Sequence, residues 1–98
     1  MVKRRGYRIE LGEIEAKLAG HDGVREAAAV AAGDHGSGVR IVAFLAAGSG
    51  GRPSIIELKR FCAERLPKYM VPDTFRFVDA LPRTSTDKID YQALAGLA

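Results

Sequence analysis

The sequence has few of the residues that build disulfides, metal centres or membrane spans. Cys62 is the single cysteine, so no disulfide can form within the chain, and a lone thiol is typical of a reducing compartment such as the cytoplasm. Two histidines and one cysteine do not supply a metal-ligand set. No apolar run approaches the roughly 18 residues of a membrane-spanning helix, and no apolar stretch follows the basic N-terminus as a secretory signal would require. We therefore expect a cytoplasmic domain with no metal site and no membrane partner.

The composition that remains is that of one small globular domain. Of the 98 residues, 47% are hydrophobic and 28% are charged, which is enough to build one core but leaves little room for a deep substrate cavity. The net charge is +3, and a basic cluster opens the chain with Lys3, Arg4, Arg5 and Arg8. Such a cluster either meets phosphate, in a nucleic acid, a nucleotide or a coenzyme, or forms a solvated edge.

The first twenty residues predict two short extended pieces followed by a helix. Gly6 divides residues 2–9, where it either permits a tight reversal or lets a ligand pass close to the backbone. Residues 10–20 have one apolar face at helical spacing, made of Leu11, Ile14 and Leu18. Gly20 is predicted to end this helix in a left-handed conformation. Gly12 lies near the start of the helix, where glycine lowers helix stability. We therefore expect close packing to require glycine at this position.

The middle of the chain predicts two strands in an antiparallel hairpin. Residues 24–32 form the first, and residues 39–45, rich in β-branched and aromatic side chains, form the second. Residues 33–38 between them have loop composition. Asp34 and His35 in this loop resemble an acid–base pair, but turn chemistry is the favoured interpretation because no third partner accompanies them.

The following segment predicts a second helix and a third strand. Ser54 and Glu57 form a capping box, and the helix that they begin carries Cys62 on its buried stripe. Residues 66–72 predict a stiff extended crossing, because two prolines fix φ. Residues 74–78 alternate as a strand does. The pattern predicts an α+β fold: a small, mostly antiparallel sheet of about three strands plus a short N-terminal hairpin, with two main helices packed on it and a short C-terminal helix.

Residues 81–94 include a polar segment with Lys88 at its middle. Pro82 opens it, and the short polar side chains of residues 84–87 favour turns because they bond to nearby backbone groups. Asp90 then begins a short helix. Lys88 is therefore predicted to project from a loop that is braced on both sides, either as one more solvated cation or as a placed charge.

Three stretches of the chain resemble the C-terminal subdomain of adenylate-forming enzymes, which include adenylation domains of nonribosomal peptide synthetases, acyl- and aryl-CoA ligases, and luciferases. Residues 2–15, Val-Lys-Arg-Arg-Gly-Tyr-Arg-Ile-Glu-Leu-Gly-Glu-Ile-Glu, resemble the segment that opens this subdomain. Residues 66–72, Leu-Pro-Lys-Tyr-Met-Val-Pro, resemble its next motif, and residues 82–94 resemble the motif that carries the catalytic lysine. Together they cover nearly the whole chain, and the first two are most similar to the peptide-synthetase branch.

The resemblance implies that residues 1–98 form a single mobile lid subdomain, that the large N-terminal subdomain is absent, and that the fragment alone is inactive. The parent enzyme joins a carboxylate to ATP, which is bound with Mg mainly by the large subdomain. It then passes the acyl group to the thiol of phosphopantetheine on a carrier protein, or of CoA. Lys88 is implied as the catalytic lysine of the first step. Gly6 is implied on the face that lines the path of the thiol arm. With this resemblance, Arg5 and Arg8 either meet phosphates of the carrier or of the nucleotide, or remain solvated charges.

Three residues depart from the motif usual in that superfamily, which commonly reads asparagine, glycine, lysine, an aliphatic residue, aspartate and arginine. Thr86 and Asp87 stand in the first two places, and Tyr91 stands in place of arginine. Asp87 tolerates a left-handed backbone better than most residues, and it puts a carboxylate beside Lys88. These departures bear on the geometry of the loop and on its catalytic competence.

Two other classes of function are compatible with the residues alone. A small basic α+β module that binds nucleic acid would need exposed aromatic side chains on its strands, and Phe75 and Phe77 alternate on the third strand. Packing against a helix explains the same pair, and the resemblance implies no nucleic-acid partner. A carrier-protein docking domain without a catalytic part would make Lys88 dispensable.

Overall fold

The computed structural model describes residues 2–4, 6–33 and 38–98, so Arg5 and the Asp34–His35 pair lie outside the described residues. The regular elements follow one another as β1 (Val2–Arg4), β2 (Tyr7–Ile9), α1 (Leu11–Ala19), β3 (Val24–Ala32), β4 (Arg40–Ala47), α2 (Ile55–Arg65), β5 (Thr74–Val78) and α3 (Tyr91–Leu97). A turn of 3-10 helix, Lys68–Met70, lies between α2 and β5.

The strands form two separate sheets. β1 and β2 make a two-stranded antiparallel ribbon, and β3, β4 and β5 make a three-stranded sheet in that order. β3 and β4 are antiparallel, with Ala28 opposite Phe44, which confirms the predicted hairpin. β5 runs parallel to β4, with Phe75 opposite Ala43, because the chain crosses back through α2 before it returns to the sheet. Helices packed on a small, mostly antiparallel set of strands confirm the predicted α+β class.

Both faces of the three-stranded sheet are covered. Residues 41–46 of β4 are all buried, as is typical of a strand that packs on both sides. One face, here called the α1–α2 face, carries Ile41, Ala43 and Leu45 against side chains that include Ile14, Leu18, Leu58 and Cys62. The opposite face, here called the α3 face, carries Val42 and Phe44 against Leu81 and Leu94. The molecule is therefore a flat three-layer body, with extents of 39 × 34 × 18 Å.

The prediction for Gly20, directly after α1, is wrong, and the described residues give no support to the one for Gly12. Gly20 has φ −79°, in the right-handed region, and its backbone N–H donates to the Lys17 carbonyl at 3.1 Å. The helix therefore ends in a tight right-handed turn rather than a left-handed one. Gly12 is exposed, and no described atom lies within 4 Å of the position that a Cβ would take. Packing inside the described part of the chain thus does not require glycine there.

Only one of the two hydrogen bonds of the predicted capping box forms at the start of α2. The Ser54 hydroxyl accepts a hydrogen bond from the Glu57 backbone N–H at 3.0 Å, as predicted. The Glu57 carboxylate instead lies 2.6 Å from Nε2 of His21. Nδ1 of His21 accepts from the Gly23 backbone N–H at 2.9 Å, so the neutral ring carries its proton on Nε2 and donates it to Glu57. This contact joins the end of α1 to the start of α2.

The predicted extended crossing at residues 66–72 is wrong in its centre. Pro67 is extended, with φ −57° and ψ 149°, but the next three residues turn as a 3-10 helix. The Met70 backbone N–H donates to the Pro67 carbonyl at 2.9 Å, and the Met70 side chain is buried on the α1–α2 face. Burial of that side chain explains the turn, because a fully extended path would not return Met70 to the core.

Cys62 is a structural thiol. It is fully buried, and burial raises its pKa to about 11, although the charge of Arg65 acts in the opposite direction. Within the described ranges, His, Cys, Asp and Glu side chains form no group of three or more that could hold a metal ion. Among the same residues, no helix is both long enough and apolar enough to cross a membrane.

Candidate functional site

Lys88 lies on a tight hairpin. Arg83 and Ile89 face each other across an isolated antiparallel bridge. The Thr84 backbone N–H donates to the Lys88 carbonyl at 2.7 Å, and the Asp87 backbone N–H donates to the Thr84 carbonyl at 2.9 Å. A turn closed in this way and followed by a left-handed residue is a common three-residue hairpin connection. We call residues 83–89 the Lys88 hairpin.

Asp87 is the left-handed residue of this turn, with φ +64°. Glycine or asparagine is the usual choice at such a position, and aspartate is among the few other residues that adopt it readily. The departure from the usual motif therefore keeps the turn. Among the ion pairs of the described residues, none joins the Asp87 carboxylate to Lys88.

The base of the Lys88 hairpin is anchored on the α3 face. The Asp90 backbone N–H donates to the Pro82 carbonyl at 2.8 Å, and the Asp90 side chain caps α3 by accepting from the Ala93 N–H at 3.1 Å. Leu81 and Leu94 are buried on either side of the hairpin, and Ile89 packs against them. An ion pair also joins Arg83 to Glu26 of β3. The hairpin thus stands on a packed base on both sides.

Lys88 itself is exposed. In the described part of the chain its ammonium group takes part in no ion pair, so no carboxylate of these residues neutralises its charge. A cation on a short, anchored hairpin is held at a defined place while it faces outward. This arrangement can bring one positive charge against an anion that lies outside the domain.

Gly6 lies at the tip of the β1–β2 ribbon. Arg4 and Tyr7 pair across the ribbon, so residues 5 and 6 connect the strands, and Gly6 has φ +84°. Among the described residues, no atom lies within 4 Å of the position that a Cβ on Gly6 would take. The backbone conformation requires glycine, and the space beside it is open on the protein side.

The basic cluster at the start of the chain divides into different roles. Arg4 is a structural residue: it lies 2.5 Å from the Asp73 carboxylate, whose second oxygen accepts from the Ile41 backbone N–H at 2.8 Å. This bridge ties the ribbon to the edge of the sheet. Arg8 is 70% exposed and pairs with Glu10 at 2.9 Å, at the entrance to α1. Arg5 lies outside the described residues, so its predicted contact is not tested.

An open groove adjoins the ribbon. The Tyr7 and Tyr69 rings meet at its wall with their centroids 4.1 Å apart. Its other lining residues include Pro67, Val71 and the two lysines Lys59 and Lys68. Arg4 and Asp73 also line it but neutralise each other, so the lysines make the groove positive. Sequence reasoning missed this groove, because its walls come from the ribbon, α2 and the 3-10 turn, which meet only in the folded chain.

The structure does not bring Gly6 and Lys88 together. The ribbon leads through the buried Ile9 to the α1–α2 face. The Lys88 hairpin is anchored on the α3 face, through Leu81 and Leu94. The two predicted elements are therefore held from opposite faces of the same sheet.

The residue that replaces the usual arginine also has a partner. The Tyr91 hydroxyl donates to the Glu15 carboxylate at 2.7 Å, and the same carboxylate oxygen accepts from the Ala29 backbone N–H at 2.9 Å. Burial, then the hydrogen bond to Glu15 and its negative charge, raise the pKa of Tyr91 to about 12. Tyr91 is therefore a neutral donor at physiological pH.

The aromatic pair on β5 is used in packing. Phe75 is buried on the α1–α2 face, and Phe77 is half-buried beneath the guanidinium of Arg52, 4.7 Å from its ring centre. Nucleic-acid binding on a strand surface requires aromatic rings that are free to stack on bases. This strand does not present such a pair.

Comparison with known proteins agrees with the predicted resemblance. A family model described as the AMP-binding enzyme C-terminal domain matches residues 13–88. Chondramide synthase of Chondromyces crocatus is 50% identical over 93 residues, which are 95% of this chain and 2% of that protein. The L-proline/L-prolyl-carrier protein ligase of Pseudomonas fluorescens, here called the proline ligase, is 46% identical over 95 residues, which are 97% of this chain and 19% of the ligase.

A solved structure shows the same fold. A four-domain nonribosomal peptide synthetase bound to AMP and glycine matches 95% of this chain, and 7% of its own, with 36% identity and a TM-score of 0.83. The chain thus spans a small part of the length of the proteins that it matches. The family match extends over most of the chain and includes Lys88. The chain belongs to the AMP-binding enzyme C-terminal domain family, the C-terminal domain of adenylate-forming enzymes.

Proposed function

We propose that this chain is the mobile C-terminal subdomain of an ATP-dependent enzyme that adenylates an acyl or aminoacyl carboxylate and then forms a thioester. The observation that carries the proposal is the exposed Lys88 on an anchored hairpin, held from the face opposite to the Gly6 ribbon. One rigid body with a functional element on each side can serve two steps by turning. Residues 1–98 act as the lid of a site whose nucleotide and acyl pockets lie on a large N-terminal subdomain.

Lys88 serves the first step. Attack of a carboxylate anion on the α-phosphate of ATP gathers negative charge there, and a cation placed against that charge stabilises the transition state more than the ground state. At about 4 Å and an effective dielectric constant of about 20, a charge pair contributes about 4 kcal/mol. That energy corresponds to on the order of a thousandfold in rate. Mg accompanies ATP and is held mainly by the large subdomain.

The Gly6 ribbon serves the second step. An extended thiol arm, phosphopantetheine or the equivalent part of CoA, passes beside the open backbone of Gly6. Arg8 and Arg5 are candidates to meet its phosphate. The positive groove next to the ribbon lies on the same side and suits an anionic partner.

The parent is proposed to be of the peptide-synthetase type. Chondramide synthase and the proline ligase, which is named for a carrier protein, support a carrier-protein acceptor over CoA. A cytoplasmic location accords with the use of ATP and with a free thiol at Cys62. The fragment alone is expected to be inactive, because the pockets for both substrates belong to the partner subdomain.

A chimera tests the proposal. Residues 1–98 replace the matched segment of the proline ligase, and proline-dependent pyrophosphate exchange and loading of the prolyl-carrier protein are measured. In this chimera we expect Lys88→Ala to slow exchange by about 10² to 10³. Lys17→Ala, which removes an exposed lysine of α1, is the matched control and should stay within about twofold.

The outcomes separate the candidate functions. A chimera with no proline-dependent exchange, or one in which Lys88→Ala stays within about tenfold of the parent, contradicts the catalytic role. Carrier loading that persists without Lys88 would favour a domain used only for carrier docking. Tight, salt-sensitive binding of the chain to single-stranded RNA or DNA would favour the nucleic-acid alternative.

A further inference from the structure

One contact joins the helix that follows the Lys88 hairpin to the helix that follows the Gly6 ribbon. Tyr91 is the first residue of α3, three positions after Lys88, and its hydroxyl lies 2.7 Å from the carboxylate of Glu15 on α1. α1 begins two residues after β2 ends. The Tyr91–Glu15 contact spans 76 positions of the sequence and joins α3 to α1, the helices that follow the Lys88 hairpin and the Gly6 ribbon.

We propose that Tyr91 is a positioning residue that sets where Lys88 stands during adenylation, an inference that rests on the proposed function. Tyr91 touches no reacting group in this role. It acts through Ile89 and Asp90, the two residues that separate it from Lys88. Its hydroxyl fixes the start of α3, and the start of α3 fixes one leg of the hairpin.

Glu15 is a suitable fixed point because the backbone holds it. β3 lies at one edge of the three-stranded sheet. The Ala29 N–H points away from β4 at that edge, and the Glu15 oxygen accepts from it at 2.9 Å. The carboxylate is therefore restrained by α1 on one side and by β3 on the other. A donor that bonds to this oxygen is tied to the main body of the domain.

The restraint is transmitted to Lys88 through short, stiff links. Asp90 precedes Tyr91, caps α3 with its side chain and donates its N–H to Pro82 at the other leg of the hairpin. A shift at Tyr91 therefore moves both legs of the hairpin together. Displacement of a catalytic group by about 1 Å is enough to reduce a rate by up to about a hundredfold.

Other contacts keep the domain folded when the Tyr91 hydroxyl is removed. Leu94 remains buried in the core of the α3 face, and Arg76 donates to the Leu97 carbonyl at the end of α3. The Tyr91 side chain is itself 43% exposed. Loss of the hydroxyl should therefore loosen the placement of the hairpin rather than unfold it.

Tyr91→Phe in the proline-ligase chimera tests the inference. We expect the kcat of pyrophosphate exchange to fall by about tenfold while the KM for ATP changes by less than about twofold, because the charge is misplaced and the ATP pocket is untouched. Transfer of a preformed prolyl-adenylate to the carrier protein should not change. Tyr91→Arg should recover most of the loss, because a guanidinium can donate to the same carboxylate. Glu64→Gln, on the exposed side of α2, is the control for a surface change.

The Lys88→Ala chimera, as a second parent for Tyr91→Phe, distinguishes a role in positioning Lys88 from a role in the stability of the fold. If Tyr91 acts only through Lys88, adding Tyr91→Phe to Lys88→Ala should lower exchange no further. An equal loss from Tyr91→Phe in both backgrounds, or a lowered melting temperature with unchanged kcat, would overturn the inference and leave a purely structural contact. If Lys88→Ala alone has no effect, the proposed function fails; if only Tyr91→Phe has none, the inference fails by itself.

Discussion

At the scale of single residues, side chains that depart from the usual motif still meet the physical requirements of their positions. Asp87 adopts the left-handed conformation that its turn needs, with φ +64°. Tyr91, which replaces the usual arginine, donates a hydrogen bond to the Glu15 carboxylate of α1. Position 87 requires a residue that adopts a left-handed backbone, and position 91 has a donor that faces a carboxylate. More than one residue type satisfies each of these conditions. For this reason, agreement with the residue types of the usual motif does not by itself decide whether such a loop is catalytically competent.

Cys62 gives a prediction at this scale. Its thiol is buried and its pKa is raised from 9.0 to about 11, so the folded chain holds the proton at pH values where the unfolded chain has released it. The free energy of unfolding should therefore be unaffected below about pH 9 and fall between about pH 9 and 11, by on the order of 2 to 3 kcal/mol in total. Urea unfolding of the chain at pH 8, 9 and 10 measures this fall.

Cys62→Ala is the control for the pH dependence. This substitution removes the titrating thiol and leaves a small cavity. The variant should therefore be less stable than the parent chain at pH 8, but its free energy of unfolding should change little between pH 9 and 10. Tyr91, whose pKa is also raised, contributes only at higher pH. The same fall between pH 9 and 10 in Cys62→Ala would show that another group is responsible.

At the scale of elements, the regular structure was predictable where a pattern had a single physical meaning. Periodicity located α1 and α2, and a run rich in β-branched and aromatic residues located β4. β3 was predicted against the helical preference of its alanines, because the segment is short and directly follows the end of a helix. The alternation of β5 predicted a strand but not its direction, because direction depends on the path of the chain through α2. The 3-10 turn at Lys68–Met70 was missed because burial of Met70 outweighed the extended preference of the two flanking prolines.

Gly12 yields a prediction about α1. It is the second residue of the helix, it is exposed, and a Cβ there would meet nothing within 4 Å. Gly12→Ala should raise the free energy of unfolding by about 0.5 to 1 kcal/mol, because alanine loses less backbone entropy in a helix. Denaturant unfolding of the chain measures the change.

Gly23→Ala is the matched control for Gly12→Ala. The Cβ of alanine at position 23 would lie 2.9 Å from Cδ of Pro53, whose ring cannot easily move away, so this variant should be less stable than the parent chain. If Gly12→Ala also lowers stability, the domain has a contact at Gly12 that its own described residues do not provide.

At the scale of the whole molecule, the parts of the site that sequence reasoning missed are contacts between distant residues. The Arg4–Asp73 ion pair joins positions 69 apart, and the Tyr91–Glu15 hydrogen bond joins positions 76 apart. Local patterns do not report such pairs. The location of Lys88 in an anchored loop was predictable, because turn chemistry and helix capping act within a few residues. Its separation from Gly6 by the sheet appears only in the folded chain.

This separation makes the two half-reactions independently sensitive to substitution. Gly6 lies on the ribbon that leads to the α1–α2 face, away from the anchors of the Lys88 hairpin. Gly6→Leu should leave pyrophosphate exchange within about threefold and lower carrier loading by about tenfold or more, because a side chain there obstructs an arm that passes the backbone. Both rates are measured in the proline-ligase chimera.

Backbone strain is the competing explanation for any effect of Gly6→Leu, since φ is +84° there. Gly51 provides the comparison: its φ is +100°, and a Cβ at that position also meets nothing within 4 Å. Gly51→Leu carries similar strain in a different loop, between β4 and α2, so it should affect the two half-reactions equally. A selective loss of loading in Gly6→Leu alone would assign the effect to obstruction of the thiol arm, whereas equal losses in both half-reactions would assign it to strain and reject the role of Gly6.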